Sequence, residues 1–182
     1  MDETLEYKRH TLAHLLAAAV LEHYPDAKPT IGPSIEEGFY YDFDFGKTKL
    51  SENDLPKIEK TMREILLSWT AMTGKKVSAK EAKAAFKKNE YKSELIDDLE
   101  KEDATVTLYT AGSFTDLCRG GHAENPAKEI GSDTFKLDRI AGAYWRGSEK
   151  NPMLTRIYGL AFDTKEELDI HIARREEAKK RD

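Results

Sequence analysis

The 182-residue sequence is poor in most of what staples or anchors a chain. A single cysteine, Cys118, excludes an internal disulfide framework. The longest strongly apolar run, Leu15 to Leu21, falls far short of the roughly 20 residues of a membrane-spanning helix, so no membrane partner is expected. The opening Met1-Asp2-Glu3 is acidic and no cleavage pattern follows it, so no secretory leader is expected and the compartment is read as cytoplasmic. Basic charge is not in excess. There are 29 Lys+Arg against 34 Asp+Glu, a net charge of −5, which excludes a uniformly basic nucleic-acid coat. What remains is long enough to bury a real core as one domain, or one domain with a small extra lobe.

The charge is uneven. Residues 1–46 are strongly acidic, whereas Lys75 to Lys92 holds seven lysines and two glutamates. That stretch reads either as a solvated helix face or as a local electrostatic footprint for phosphate. The first element spans about residues 3–24. Leu12, Leu15, Leu16, Ala19 and Val20 follow helical spacing, and Ala13, Ala17, Ala18 and Leu21 make the other side apolar too. A helix apolar all round belongs inside the fold. Gly38 to Phe45 alternates like a half-buried strand, with Phe39, Tyr41, Phe43 and Phe45 on one side.

Ser51 with Asp54 reads as a capping box opening a helix to about Thr73. Ser78 with Glu81 reads as a second box, whose helix turns Ala82, Ala85 and Phe86 inward, and Ser93 starts another helix to about Glu102. The second half is strand-rich, with pieces at Thr105–Leu108, Phe114–Leu117, Thr134–Ile140, Ala143–Trp145 and Met153–Phe162 before a last helix from about Asp163. The pattern predicts an α+β fold in which an antiparallel sheet wraps a central buried helix. A small helical or mixed lobe is expected at about 51–103, and a C-terminal helix over 164–182.

Two short motifs carry chemistry. His10 and His14 are four residues apart and share one helix face. Cys118 and His122 have the same spacing across Gly120 and Gly121, which let a backbone turn tightly and approach a ligand. Three imidazoles and a thiol are a ligand set for tetrahedral zinc. The competing reading is two buried histidines and a small core cysteine.

Longer motifs add a resemblance. His10-Thr-Leu-Ala-His14, Ile31-Gly-Pro-Ser-Ile-Glu-Glu-Gly-Phe-Tyr-Tyr-Asp42, Asp116-Leu-Cys118-Arg-Gly-Gly-His122, Ala141-Gly-Ala-Tyr-Trp-Arg-Gly147 and Met153-Leu-Thr-Arg-Ile-Tyr-Gly159 occur in order. Together they resemble the editing domain of bacterial threonyl-tRNA synthetase, from about Arg9 to the C-terminus. One departure is Gly121, where the family usually has proline. The resemblance implies an editing domain over 1–163 and a helix at 164–182 leading toward a ligase core that this chain lacks. It implies hydrolysis of the ester in seryl-tRNA(Thr) while threonyl-tRNA(Thr) is spared. The physical need is plain: one methyl group separates the two amino acids by only roughly 1–3 kcal/mol in a pocket, so a second sieve is required.

The resemblance also implies roles. His10, His14, Cys118 and His122 match the pocket quartet, and Lys92 matches a lysine implicated in hydrolysis. Either His10 or Lys92 would position or deprotonate the attacking water. Asp116 would hold the substrate ammonium, and Cys118 would be a pocket residue rather than a covalent nucleophile. Tyr40 and Tyr41 match a pair lining the adenosine side, Tyr41 being the better placed by motif. Arg119 and Gly120 lie in the same motif as substrate-binding positions. No cofactor is obligatory, although zinc on the quartet is allowed, as in the alanyl relatives. The implied partners are the acceptor end of tRNA(Thr) carrying serine and the rest of the synthetase, and the isolated domain is expected to be monomeric. Two other readings stay open: an alanyl-type deacylase acting on mischarged tRNA(Ala), and a non-catalytic tRNA- or zinc-binding module.

Overall fold

The computed structural model describes residues 3–181. Helix α1 (Glu3–His23) is followed by the short strands β1 (Lys28–Pro29) and β2 (Ser34–Ile35) and by β3 (Gly38–Asp44). Helix α2 (Leu55–Leu66), strand β4 (Thr73–Val77) and helices α3 (Ala79–Ala85) and α4 (Glu90–Lys101) come next. Strands β5 (Val106–Ala111) and β6 (Phe114–Leu117), the short helix α5 (Pro126–Glu129), strands β7 (Phe135–Tyr144) and β8 (Met153–Ala161), and helix α6 (Lys165–Arg181) complete the order. All pairing is antiparallel. One sheet runs β1-β3-β8-β7 with β2 added on β3, and the other runs β4-β5-β6. The α+β expectation is met.

Helix α1 is buried from Thr11 to Val20 because it is apolar on every side; it packs against β2, β3 and α2. Strand β3 sends Phe39, Tyr41 and Phe43 into the same core. Asp42 departs from simple alternation by being buried too, since Arg156 on β8 pairs with it at 2.8 Å. The Ser51–Asp54 capping box forms as expected. The helix it opens stops at Leu66 rather than near Thr73, because the Ser68 hydroxyl donates to the Ile65 carbonyl and Trp69 turns into the core. Residues 73–77 instead pair with β5 as an edge strand, where Lys75 and Lys76 keep the open edge charged.

Helix α4 starts at an Asn89 cap, not at Ser93: the Asn89 side-chain oxygen accepts from the Tyr91 and Lys92 N–H groups. Ala85 is exposed, and only Ala82 of its helix is fully buried. The two strand pieces expected at 134–140 and 143–145 are one strand, β7, with a bulge at Asp138 that aims this carboxylate at Arg175 of α6. Segment 51–103 divides between two cores. Helix α2 joins the main one around α1, whereas Ala82, Ile96, Val106 and Leu108 form a smaller one.

Candidate functional site

Helix α1 carries His10 and His14 one turn apart toward the loop that follows β6. In that loop the Cys118 N–H still bonds to the Thr107 carbonyl, continuing the β-pairing. The chain then turns sharply at Gly120 and Gly121, whose φ angles are +115° and +87°. A side chain at Gly120 would also press on the Tyr109 hydroxyl, and proline cannot adopt the φ of Gly121. This turn folds His122 back onto the α1 histidines, with ring centroids 4.4 Å from His10 and 4.8 Å from His14. Candidate ligand atoms of His10, His14, Cys118 and His122 all lie within 4.8 Å of one another. The Cys118 Sγ is 3.3 Å from His10 Nε2 and 3.1 Å from His122 Nε2.

A second layer holds the first. Asp116, at the buried end of β6, is 2% exposed and both its oxygens are occupied. Oδ2 accepts from His14 Nδ1 at 2.8 Å and from the Tyr41 hydroxyl at 2.6 Å. Oδ1 accepts from Lys92 Nζ at 2.7 Å and from the Leu117 N–H at 2.8 Å. Lys92 also donates to the Thr30 carbonyl at 2.6 Å and to the Tyr41 oxygen at 2.9 Å. Three acceptors therefore meet the three donors of an ammonium group.

The charges follow from these contacts. Burial favours the neutral acid at Asp116, yet Lys92 and His14 hold its carboxyl well below the usual carboxylate range. Burial opposes a charged His14, but the bonds to Asp116 and the neighbouring Cys118 outweigh it and raise its pKa to about 9. Burial would raise the Cys118 thiol, but the surrounding His10, His122 and His14 pull it down to about 3. Burial lowers the pKa of His122.

The group fits a metal. His14 Nε2 is buried without a hydrogen-bond partner while Nδ1 is anchored on a carboxylate. This is the arrangement that orients ligating histidines. His10 is held similarly, through Nδ1 on the Gly121 carbonyl at 3.1 Å. Three nitrogens and a sulfur suit zinc.

A cavity of about 410 Å³ opens on this cluster, within the range of small-molecule sites. His10, His14, Tyr41, Lys92, Asp116, Cys118 and Arg119 line it, and Gly120 and His122 lie behind Cys118. Tyr40 is not brought there. It lies on the opposite face of β3, where the Arg156 guanidinium stacks on its ring at 3.9 Å. A larger cavity of about 480 Å³ lies between residues 25–29 and 84–89, but no imidazole or thiol lines it and its Lys28 is spent on Glu90.

Sequence reasoning missed three contributors. The Thr30 carbonyl acts through backbone, which no side-chain pattern marks. Gly32 is needed because any side chain there would overlap the Tyr41 ring. Leu95 forms part of the cavity wall. The Ile31-Gly-Pro run that carries the resemblance was the available signal for the second of these.

Residues 106–158 match the family described as the threonyl and alanyl tRNA synthetase second additional domain, a stretch that holds Asp116, Cys118 and His122. Over 182 residues the chain is 50% identical to the threonine–tRNA ligase of Thermotoga neapolitana, covering 99% of this chain and 28% of that protein. It is 48% identical over 181 residues to the threonine–tRNA ligase of Borreliella burgdorferi, covering 100% of this chain and 31% of that protein. The chain thus spans between a quarter and a third of the length of these relatives. The chain is thus similar over residues 106–158 to the threonyl and alanyl tRNA synthetase second additional domain, and over nearly its whole length to the corresponding part of threonine–tRNA ligases.

Proposed function

We propose that this domain hydrolyses the ester of seryl-tRNA(Thr), releasing serine and free tRNA, and spares threonyl-tRNA(Thr). The observation that carries this reading is the convergence of three imidazoles, a low-pKa thiol and the Lys92–Asp116–Tyr41 network on one cavity wall. Water attacks the seryl carbonyl carbon and gives up a proton, the tetrahedral oxyanion collapses, and the ribose oxygen leaves with a proton.

Of the two candidate bases, geometry favours His10. Its Nδ1–H donates to the Gly121 carbonyl, so Nε2, 3.3 Å from the Cys118 sulfur, is the ring nitrogen left to exchange a proton with water in the cavity that His10 lines. Lys92 has no donor or lone pair to spare and is a positioning residue that fixes Asp116, which in turn fixes His14. Because both Asp116 oxygens are filled, the Cys118 thiolate is the better candidate to face the substrate ammonium. Zinc, when bound, would be held by His10, His14, Cys118 and His122 and would supply Lewis-acid polarisation; this reading does not oblige it.

The partners are the acceptor end of tRNA(Thr) and the remainder of a threonine–tRNA ligase, acting in the cytoplasm, with the isolated domain monomeric. No helix among the described residues is long and apolar enough to cross a membrane. The test compares hydrolysis of seryl-tRNA(Thr), threonyl-tRNA(Thr) and seryl-tRNA(Ala) by the chain and by its His10→Ala variant. The expected result is preference for the first substrate and a loss of about 10²-fold or more in the variant. Preference for seryl-tRNA(Ala) would make this an alanyl-type deacylase, and tRNA binding with an intact ester would make it a non-catalytic module.

A further inference from the structure

A second cavity, of about 290 Å³, adjoins the first. The two share a wall that includes Ile31, Leu95, Leu117 and Arg119. Beyond the wall, Leu99 continues the apolar floor one helical turn after Leu95, and Thr107 and Glu102 supply polar groups at the edge. Ile31, at the shared rim, is 42% exposed, a large apolar side chain left in water at a point of contact between the two spaces.

The charges across this second cavity are unequal in a useful way. Arg119 stands between the cavities, exposed, and among the described residues it has no carboxylate or hydrogen-bond partner. At the far end Asp98 is already engaged by Arg146, while Glu102 is exposed and, among the described residues, unengaged. An anion is therefore favoured beside the Arg119 guanidinium, and disfavoured at the far end and at the Cys118 sulfur, which shares the same wall. An N–H donor is favoured at the far end.

We propose that the second cavity seats the nucleobase of the nucleotide on the 5′ side of the esterified one, with Arg119 on the phosphate that joins them. This rests on the hydrolytic reading above for the identity of the esterified nucleoside. The order of parts matches the order of the chain: base, phosphate, ribose and aminoacyl group fall on Leu95/Leu99/Leu117, Arg119 and then the reactive cavity. A flat base covers apolar side chains with its faces and presents hydrogen-bonding groups at its edge. A base with an exocyclic amine, cytosine or adenine, meets the Glu102 carboxylate and the Thr107 hydroxyl. A guanidinium is the side chain best shaped for a phosphate.

The experiment uses two small substrates, seryl-adenosine and the same ester extended by one 5′ cytidine (seryl-CpA). In the unaltered chain the extension is expected to raise kcat/KM at least ten-fold, mainly through KM. In Arg119→Gln, and separately in Leu99→Trp, which fills the second cavity, the ratio between the two substrates is expected to fall toward one. Thermal unfolding checks that both variants fold, and Arg119→Gln, altering an exposed loop residue, carries the test if Leu99→Trp does not. No gain on extension, or an unchanged gain in Arg119→Gln, overturns the proposal. If neither ester is hydrolysed, the hydrolytic reading fails and binding of uncharged CpA against adenosine decides the rest. Tighter binding of CpA that Arg119→Gln abolishes supports the second cavity, and equal binding of the two overturns it.

Discussion

Lys92 Nζ and Asp116 Oδ1 stand 2.7 Å apart with their side chains only 3% and 2% exposed. Taking two charges out of water is expensive, and their attraction repays this only when every remaining donor and acceptor is satisfied. Here each is: Tyr41, His14, the Thr30 carbonyl and the Leu117 N–H complete the set. The pair joins α4 to β6 and orients His14 on α1, so one contact couples three elements of the site.

Removal of the cation should therefore be costly. Lys92→Met is expected to lower the unfolding free energy by about 3–5 kcal/mol, because Asp116 is left buried without its counter-charge. Hydrolysis of seryl-tRNA(Thr) should fall with it. Lys92→Arg should not restore activity, since a planar fork cannot place one donor centre among three acceptors. Urea unfolding and single-turnover deacylation check both parts, and a fully active arginine variant would contradict the positioning role.

Acid should expose the same pair. The Asp116 carboxyl has a folded-state pKa below its unfolded value of about 3.9. Such a group contributes stability above that pH and loses it as the pH falls toward the folded-state pKa. The unfolding free energy is thus expected to drop steeply below about pH 4. Asp116→Asn should start lower at neutral pH and show a shallower acid limb. Urea melts across this range decide the matter, and parallel acid limbs would refute it.

Gly32 should not tolerate even a methyl group. Gly32→Ala places Cβ in the Tyr41 ring, which is itself buried and bonded to Asp116 and Lys92. The expected cost is about 1–3 kcal/mol, from overpacking. Deacylation should weaken more than for an alanine at Gly46, where Cβ meets nothing within 4 Å and the φ of +62° is the only strain. Thermal denaturation and activity of the two variants provide the comparison.

The lone cysteine makes its own ionisation and any metal directly readable. With a pKa near 3, metal-free Cys118 is a thiolate, and its alkylation by iodoacetamide should change little between about pH 5 and 8. An ordinary thiol, with a pKa of about 8.5, would accelerate nearly ten-fold per unit over that range. One equivalent of zinc should protect Cys118, and His10→Ala and His122→Ala should weaken the protection. Labelling that climbs steadily with pH would remove the thiolate, and labelling indifferent to zinc would remove the metal fit.

Much of this molecule is local in origin. The apolar residues on every side of Leu12–Val20 determine a buried helix wherever that helix is placed, because no face of it can meet water. The His10/His14 spacing, the alternation of Phe39, Tyr41 and Phe43, and the Ser51–Asp54 box likewise depend only on near neighbours. Tertiary structure decided the rest. Thr73–Val77 has no alternating pattern and is a strand only because β5 offers it partners. Seven lysines lie between residues 75 and 92, yet only Lys92 is buried, because the Asn89 cap and the acceptors on Thr30, Tyr41 and Asp116 converge on it. The resemblance makes Asp116 a clamp for substrate, but three donors from distant segments and the adjacent Leu117 N–H fill it. Such convergence has no signature in local spacing, since hydrogen bonds across 24 to 102 residues arise only when the chain has folded.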